Sequence, residues 1–228
     1  MADIQKVGVI VPAYDVEPWI RGVLDGVLRF IPSGRVYVVD DGSRDRTCDV
    51  AARMGVTVIR HPFNRGKGEA LKSGFRAAVK DGLEAVITLD GDAQHDPRFI
   101  PNFLSAMEES GSGLVLGTRR FHFNTMPVDR IFSNRMSSLM VSVFAGKRIF
   151  DSQCGYRMVR TGALKGLELW TGHYETETEL LIKLARRGCR VGFCPVPVVH
   201  SPGSSHIRRF RDTVRFCSLL MRLLADGK

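Results

Sequence analysis

The chain has 228 residues, 44% hydrophobic and 25% charged, a balance that excludes a disordered chain and allows one sizeable core. Its five cysteines are odd in number and show no CxxC spacing, which excludes a simple zinc site and points to a reduced, cytoplasmic setting. The net charge of +9 is uneven: residues 1–114 hold 14 Lys and Arg against 16 Asp and Glu, and residues 115–228 hold 19 against 8, so an anionic partner is expected for the second half.

In chain order, Val7–Val11 reads as a buried strand stopped by Pro12, and residues 18–30 carry Ile20, Val23, Leu24 and Val27 at helical spacing. Val36–Val39 is a second strand, followed by a helix near 46–54, and Val56–Ile59 a third, followed by a helix over 67–81. Ala85–Leu89 is a fourth strand, then a helix near 97–109, and Leu114–Leu116 a fifth strand. This alternation predicts an α/β fold with a mostly parallel central sheet and helices on both faces. Further on, helices are predicted at 128–145 and 174–187, and Cys189–Val199 is an edge or irregular strand because of Pro195 and Pro197. Residues 1–206 are expected to form one domain. Residues 207–228 form a basic amphipathic helix that packs onto it, lies on a membrane surface or meets a membrane-protein partner. No signal peptide and no apolar run long enough to span a bilayer is present, so a cytoplasmic protein, peripheral at most on the membrane face, is expected.

The most informative motif is Asp90-Gly91-Asp92-Ala93-Gln94-His95-Asp96-Pro97, directly after the fourth strand. Open α/β sheets bind ligands at the carboxyl ends of their strands, and two carboxylates on a tight turn can hold Mg²⁺ or Mn²⁺, which in turn holds a diphosphate. The competing account is a polar turn with Asp96 as N-cap and Pro97 at the first helical position. Three more loops fall at strand ends: Pro12-Ala13-Tyr14-Asp15, Asp40-Asp41-Gly42-Ser43 and Asn64-Arg65-Gly66-Lys67-Gly68. Acids at a strand end suit ribose and base, and glycines with a lysine at a helix start suit a phosphate.

Together, VPAY, VVDDGSRDRT, NRGKGEALKSGF, LDGDAQHDP, GTRR and QCGYRMV resemble the family 2 glycosyltransferases, which have the Rossmann-like GT-A fold. Within that family the chain is most similar to the dolichol-phosphate mannosyltransferase and polyprenol-phosphate glycosyltransferase branch, over residues from about 7 to 215. The resemblance implies that Pro12, Tyr14, Val39 and Asp41 line the nucleotide pocket. Asp90, Asp92 and Gln94, on the turn through Gly91, would bind metal and diphosphate, with Arg119 near the sugar or diphosphate. It also implies that Arg130 and Asn134 hold the acceptor phosphate, that Arg157 lies on the acceptor-side loop, and that Glu177, of Glu175, Glu177 and Glu179, stands beside the donor sugar. These three glutamates alternate, so on a helix at most one or two can face a site, the rest being surface charge. Where the mannosyltransferases carry Arg-x-x-Gly-x-Ser-Lys, this chain has His200 and His206 in place of the two cations, and one extra residue separates Tyr14 from the acid at Glu17.

The function implied is an inverting, metal-dependent transfer of a hexose from a nucleotide diphosphate donor to a polyprenyl phosphate. An alternative keeps the fold and takes a saccharide or lipid hydroxyl, with Glu177 as base. Nucleic acid is not expected as a partner, because no base-stacking aromatic motif or nucleic-acid fold signature accompanies the basic half.

Overall fold

The computed structural model describes residues 6–119, 128–198 and 209–225, and only the backbone of 128–130, 209 and 210. Every residue of β1 (Val7–Ala13) is buried, as happens at the centre of a sheet covered on both faces. Beside it run β2 (Val36–Asp40) and β4 (Ala85–Thr88), both parallel to it, with β3 (Thr57–Arg60) parallel beyond β2. The intervening helices are α1 (Glu17–Val27), α2 (Thr47–Arg53), α3 (Lys67–Lys80) and α4 (Ile100–Ser110). Pro12 does not stop β1; it pairs with Val39 and the strand runs on to Ala13. The last pair between β1 and β4 is Ile10 with Thr88. Beyond it, Pro12's missing N–H removes no ladder bond on that side.

The second half adds β5 (Leu114–Arg119), α5 (Val128–Ala145), β6 (Arg157–Arg160), α6 (Thr161–Leu164), α7 (Glu175–Arg186), β7 (Val191–Val196) and α8 (Arg209–Ala225). The seven strands are ordered β3-β2-β1-β4-β6-β5-β7. β6 is antiparallel to both β4 and β5, a strand that periodicity did not predict inside the QCGYRMV segment. Because it runs backwards, its first residue, Arg157, lies opposite Thr88 at the edge where β4 ends. β7 is the edge strand, where Pro195 is tolerated.

Ile20, Leu24, Phe103 and Met107 pack against one face of the sheet. Leu71, Phe75, Val141, Leu181, Leu219 and Leu223 pack against the other, so α8 contributes its leucines to the same core as α3, α5 and α7. Trp170 lies between α7 and α8, with Lys183 Nζ 3.1 Å and the Arg222 guanidinium 4.3 Å from its ring centre.

Candidate active site

The turn after β4 is fixed by its own side chains. The Asp90 N–H donates to His95 Nδ1 at 3.0 Å, and the Gln94 N–H donates to Asp92 Oδ1 at 3.1 Å. Asp96 Oδ1 accepts from the Arg98 N–H at 2.9 Å, capping the turn that Pro97 begins. The capping account therefore holds for Asp96 and leaves Asp90 and Asp92 outside the cap. Burial pulls the His95 imidazole down to about 4 against the pull of Asp90, so it stays neutral and its Nδ1 can accept. A Cβ on Gly91 would stand 3.2 Å from Val16 Cγ2 and 3.4 Å from the Pro12 carbonyl, so the turn lies flush against the end of β1.

Lys67, from the first turn of α3, reaches this turn. Its Nζ is 2.7 Å from Asp90 Oδ1 and 3.0 Å from Glu177 Oε2 on α7. Burial alone would lower the ammonium, but Asp90 and Glu177 outweigh it and hold it above the ordinary lysine value. The other carboxylate oxygen of Glu177, Oε1, is buried without a hydrogen bond and lies 3.9 Å from Arg157 Nε. Burial, and then the neighbouring Asp90, push the Asp92 carboxyl up. Sequence reasoning placed Lys67 beside a phosphate and missed its carboxylate partners, because nothing in the spacing of residues 67, 90 and 177 records their meeting.

Arg157, expected on the acceptor side, is 1% exposed, and its guanidinium donates to the carbonyls of Cys154, Ser152 and Glu177. It clamps the loop before β6 onto α7. Asn134 is likewise buried: its Nδ2 donates to Asp151 Oδ1 at 3.0 Å, and its Oδ1 accepts from Ser138. Asp151 also receives Arg119 through Nε at 2.7 Å and Nη2 at 3.0 Å. Burial opposes ionisation of Asp151, but Arg119 and Asn134 hold its carboxyl below the usual range. Arg119 and Asn134, read separately as donor-side and acceptor-side groups, thus meet on one carboxylate that had no sequence signal. Arg130 contributes backbone to the first turn of α5, and its side chain lies outside the described set, as do His200 and His206.

At the ends of β1 and β2, Pro12 is buried and Tyr14 half-buried. Val39 is fully buried in the core with Ile10 and Tyr37, behind the pocket it was expected to line. Asp41 accepts from the N–H groups of Arg65 and Gly66 and lies 2.6 Å from His61 Nδ1, so it ties the 61–66 loop to β2. A cleft of about 320 Å³ opens beside it, lined by Gly42, Ser43, Arg60, His61 and Pro62. Glu17, left unassigned by sequence, receives the N–H and Nε of Arg46 and joins α1 to the loop after β2.

The glycines at the start of α3 serve packing. The Gly66 N–H donates to Asp41 and the Glu69 N–H donates to the Gly172 carbonyl at 3.0 Å, so these amides are already engaged rather than free for a phosphate. A Cβ at position 68 would stand 2.6 Å from the Gly172 carbonyl carbon and collide with Thr176. Gly68→Ala is therefore expected to lose about 1–3 kcal/mol of stability, read as a lower urea midpoint at unchanged slope.

All three alternating glutamates are buried, which corrects the expectation of surface charge. The first turn of α7 is enclosed, and Glu179 accepts from the Trp170 and Thr171 N–H groups while pairing with Lys183 at 2.6 Å. Glu175 Oε2 is buried without a hydrogen bond.

Among the described residues no three His, Cys, Asp or Glu side chains form a ready metal cage. The donor set is Asp90 and Asp92, adjacent carboxylates whose mutual repulsion a divalent cation would relieve. That set fits Mg²⁺ or Mn²⁺, which are commonly held by one or two carboxylates with substrate phosphates and water supplying the rest.

Residues 8–167 match the model of the family described as Glycosyl transferase family 2. This chain belongs to that family. The transferase is 31% identical over 204 residues to a dolichyl-phosphate hexose transferase of Haloferax volcanii, covering 89% of this chain and 86% of the relative. It is 28% identical over 223 residues, 88% of each chain, to the UDP-N-acetylglucosamine–dolichyl-phosphate N-acetylglucosaminyltransferase of Methanococcus voltae. Its fold matches glucosyl-3-phosphoglycerate synthase of Mycobacterium tuberculosis, solved with Mn²⁺, UDP and glucosyl-3-phosphoglycerate. The TM-score is 0.73 at 21% identity, over 96% of this chain and 80% of the other. The transferase thus has the GT-A architecture, with a mostly parallel seven-stranded sheet covered by helices.

Proposed function

We propose that this transferase moves a hexose, with inversion, from a nucleoside diphosphate to a polyprenyl phosphate. The observation that carries the proposal is the Asp90–Asp92 turn at the carboxyl edge of the sheet, beside Lys67 and a Glu177 Oε1 that is buried without a hydrogen bond. The relatives named for dolichyl-phosphate acceptors supply the acceptor class.

The nucleoside is assigned to the strand-end surface formed by Pro12, Tyr14 and the Asp41 loop. Asp90, Asp92 and Gln94 hold the diphosphate side. The Mg²⁺ or Mn²⁺ that Asp90 and Asp92 would hold would supply positive charge to the leaving diphosphate. Glu177 Oε1 accepts from a sugar hydroxyl, which orients the anomeric carbon. Arg119, held in place by Asp151, contributes positive charge beside the reacting groups. A lipid phosphate is already an anionic nucleophile, so in-line attack on the face opposite the diphosphate needs no strong base and inverts the anomeric centre. Arg130 and Asn134 lie within one helix, α5, the first to position the acceptor phosphate and the second to fix Asp151. His200 and His206 remain assigned to the diphosphate.

We assign the acceptor to the cytoplasmic membrane face. No helix among the described residues is long and apolar enough to cross a membrane. On α5, however, Phe132, Met136, Leu139 and Val143 form an exposed apolar stripe, with Val143 73% exposed. Arg135, Lys147 and Arg148 line the adjoining groove, a combination suited to an anionic lipid surface or a membrane-protein partner. We treat α8 as part of the same catalytic domain.

Incubation with radiolabelled nucleotide sugars, Mn²⁺ and short-chain polyprenyl phosphate is expected to move label into the organic phase as an acid-labile phosphodiester. Label reaching only a saccharide or lipid hydroxyl, with loss on Glu177→Gln, would establish the hydroxyl acceptor instead.

A further inference from the structure

We propose that Lys67 is a built-in counter-cation, so that this acidic edge retains a divalent ion only together with a nucleoside diphosphate. The inference rests on the metal-dependent function above and deepens it. Lys67 Nζ bridges Asp90 Oδ1 at 2.7 Å and Glu177 Oε2 at 3.0 Å. The two remaining carboxylate oxygens also converge. A point where a Cβ would stand on Gly155 lies 2.9 Å from Lys67 Nζ, 3.0 Å from Asp90 Oδ2 and 3.2 Å from Glu177 Oε1.

Glycine at 155 therefore leaves open a small polar cradle, into which Glu177 Oε1 points without a hydrogen bond. The Glu177 side chain is 9% exposed, so water does little to screen its charge from Lys67. The paired carboxylates of Asp90 and Asp92, with the charge of Glu177 beside them, would otherwise draw a divalent cation. The ammonium cancels one of those charges and repels a second cation over a few ångströms. A nucleoside diphosphate brings the negative charge that offsets the lysine. Binding of ion and nucleotide is thereby coupled, and by linkage each strengthens the other equally.

The test is Mn²⁺ binding, followed by the electron paramagnetic resonance signal of free Mn²⁺, on the full chain with and without UDP or GDP. Wild type is expected to bind Mn²⁺ at least tenfold more tightly with its matching diphosphate. Lys67→Met is expected to bind Mn²⁺ without nucleotide at least tenfold more tightly than wild type, and Lys67→Arg to follow wild type. If circular dichroism shows Lys67→Met unfolded, Lys67→Met/Glu177→Gln replaces it with the same threshold, since it leaves less unpaired buried charge. Nucleotide-free affinity within twofold of wild type in the lysine-free variant overturns this proposal alone. A wild type that binds no Mn²⁺ even with either diphosphate overturns the metal-dependent function as well.

Discussion

Asp92→Asn is expected to lower sugar transfer by on the order of a thousandfold while leaving the fold intact, because charge on a leaving diphosphate is worth several kcal/mol to neutralise. The carboxylate is held at the end of β4 by the Gln94 N–H, and the isosteric amide can keep that bond. Stability is expected to hold or rise at neutral pH. Burial and Asp90 push the Asp92 carboxyl up, so its charged form is disfavoured in the native state. A carboxyl raised on folding binds its proton more tightly in the native state, so wild type regains this stability as pH falls through the raised value towards the unfolded one. The difference between the two proteins should shrink over that same interval. Turnover within fivefold of wild type, measured with saturating donor and Mn²⁺, would remove Asp92 from the metal site.

Arg157→Met should be the most damaging substitution for stability, costing about 3–5 kcal/mol. For a chain of this size that corresponds to a melting point lower by roughly 10 °C. The guanidinium satisfies three buried carbonyls and stands 3.9 Å from Glu177 Oε1, so methionine strands the carbonyls and removes a nearby positive charge. A thermal melt followed by circular dichroism decides the matter. An unchanged melting point with a raised KM for the lipid phosphate would return Arg157 to the acceptor side.

Much of the first half was legible because its strands are continuous apolar runs and its helices carry one apolar stripe. α3 begins at Lys67 as expected, and the predicted helix over 128–145 matches α5. β6 was not legible: Arg157-Met158-Val159-Arg160 is short and bracketed by charge, and its antiparallel insertion depends on a slot made by two other strands. Periodicity also misjudged Glu175 and Glu179. It reports which face of a helix is apolar, whereas α7 is enclosed at its start. Glu179 takes a loop N–H pair that only the tertiary fold supplies, besides Lys183 one turn along the same helix, and Glu175 Oε2 is buried without a hydrogen bond. The Asp-x-Asp turn was legible in its place, directly after β4. Its counter-ion was not, since Lys67 opens α3 and only the docking of that helix beside the end of β4 brings it to Asp90.

The insertion of β6 between β4 and β5 also bears on how the chain is made. β4 and β5 run in the same direction, are joined by α4 in an ordinary crossover, and are synthesised before residues 157–160. Direct zipping of β4 to β5 would give a well-formed but mispaired sheet, a kinetic trap with no place for Arg157 and no Gly155 beside Asp90. The backward strand alone joins β4 to β5 in the finished sheet, and the loop that leads into it sets Gly155 beside Asp90.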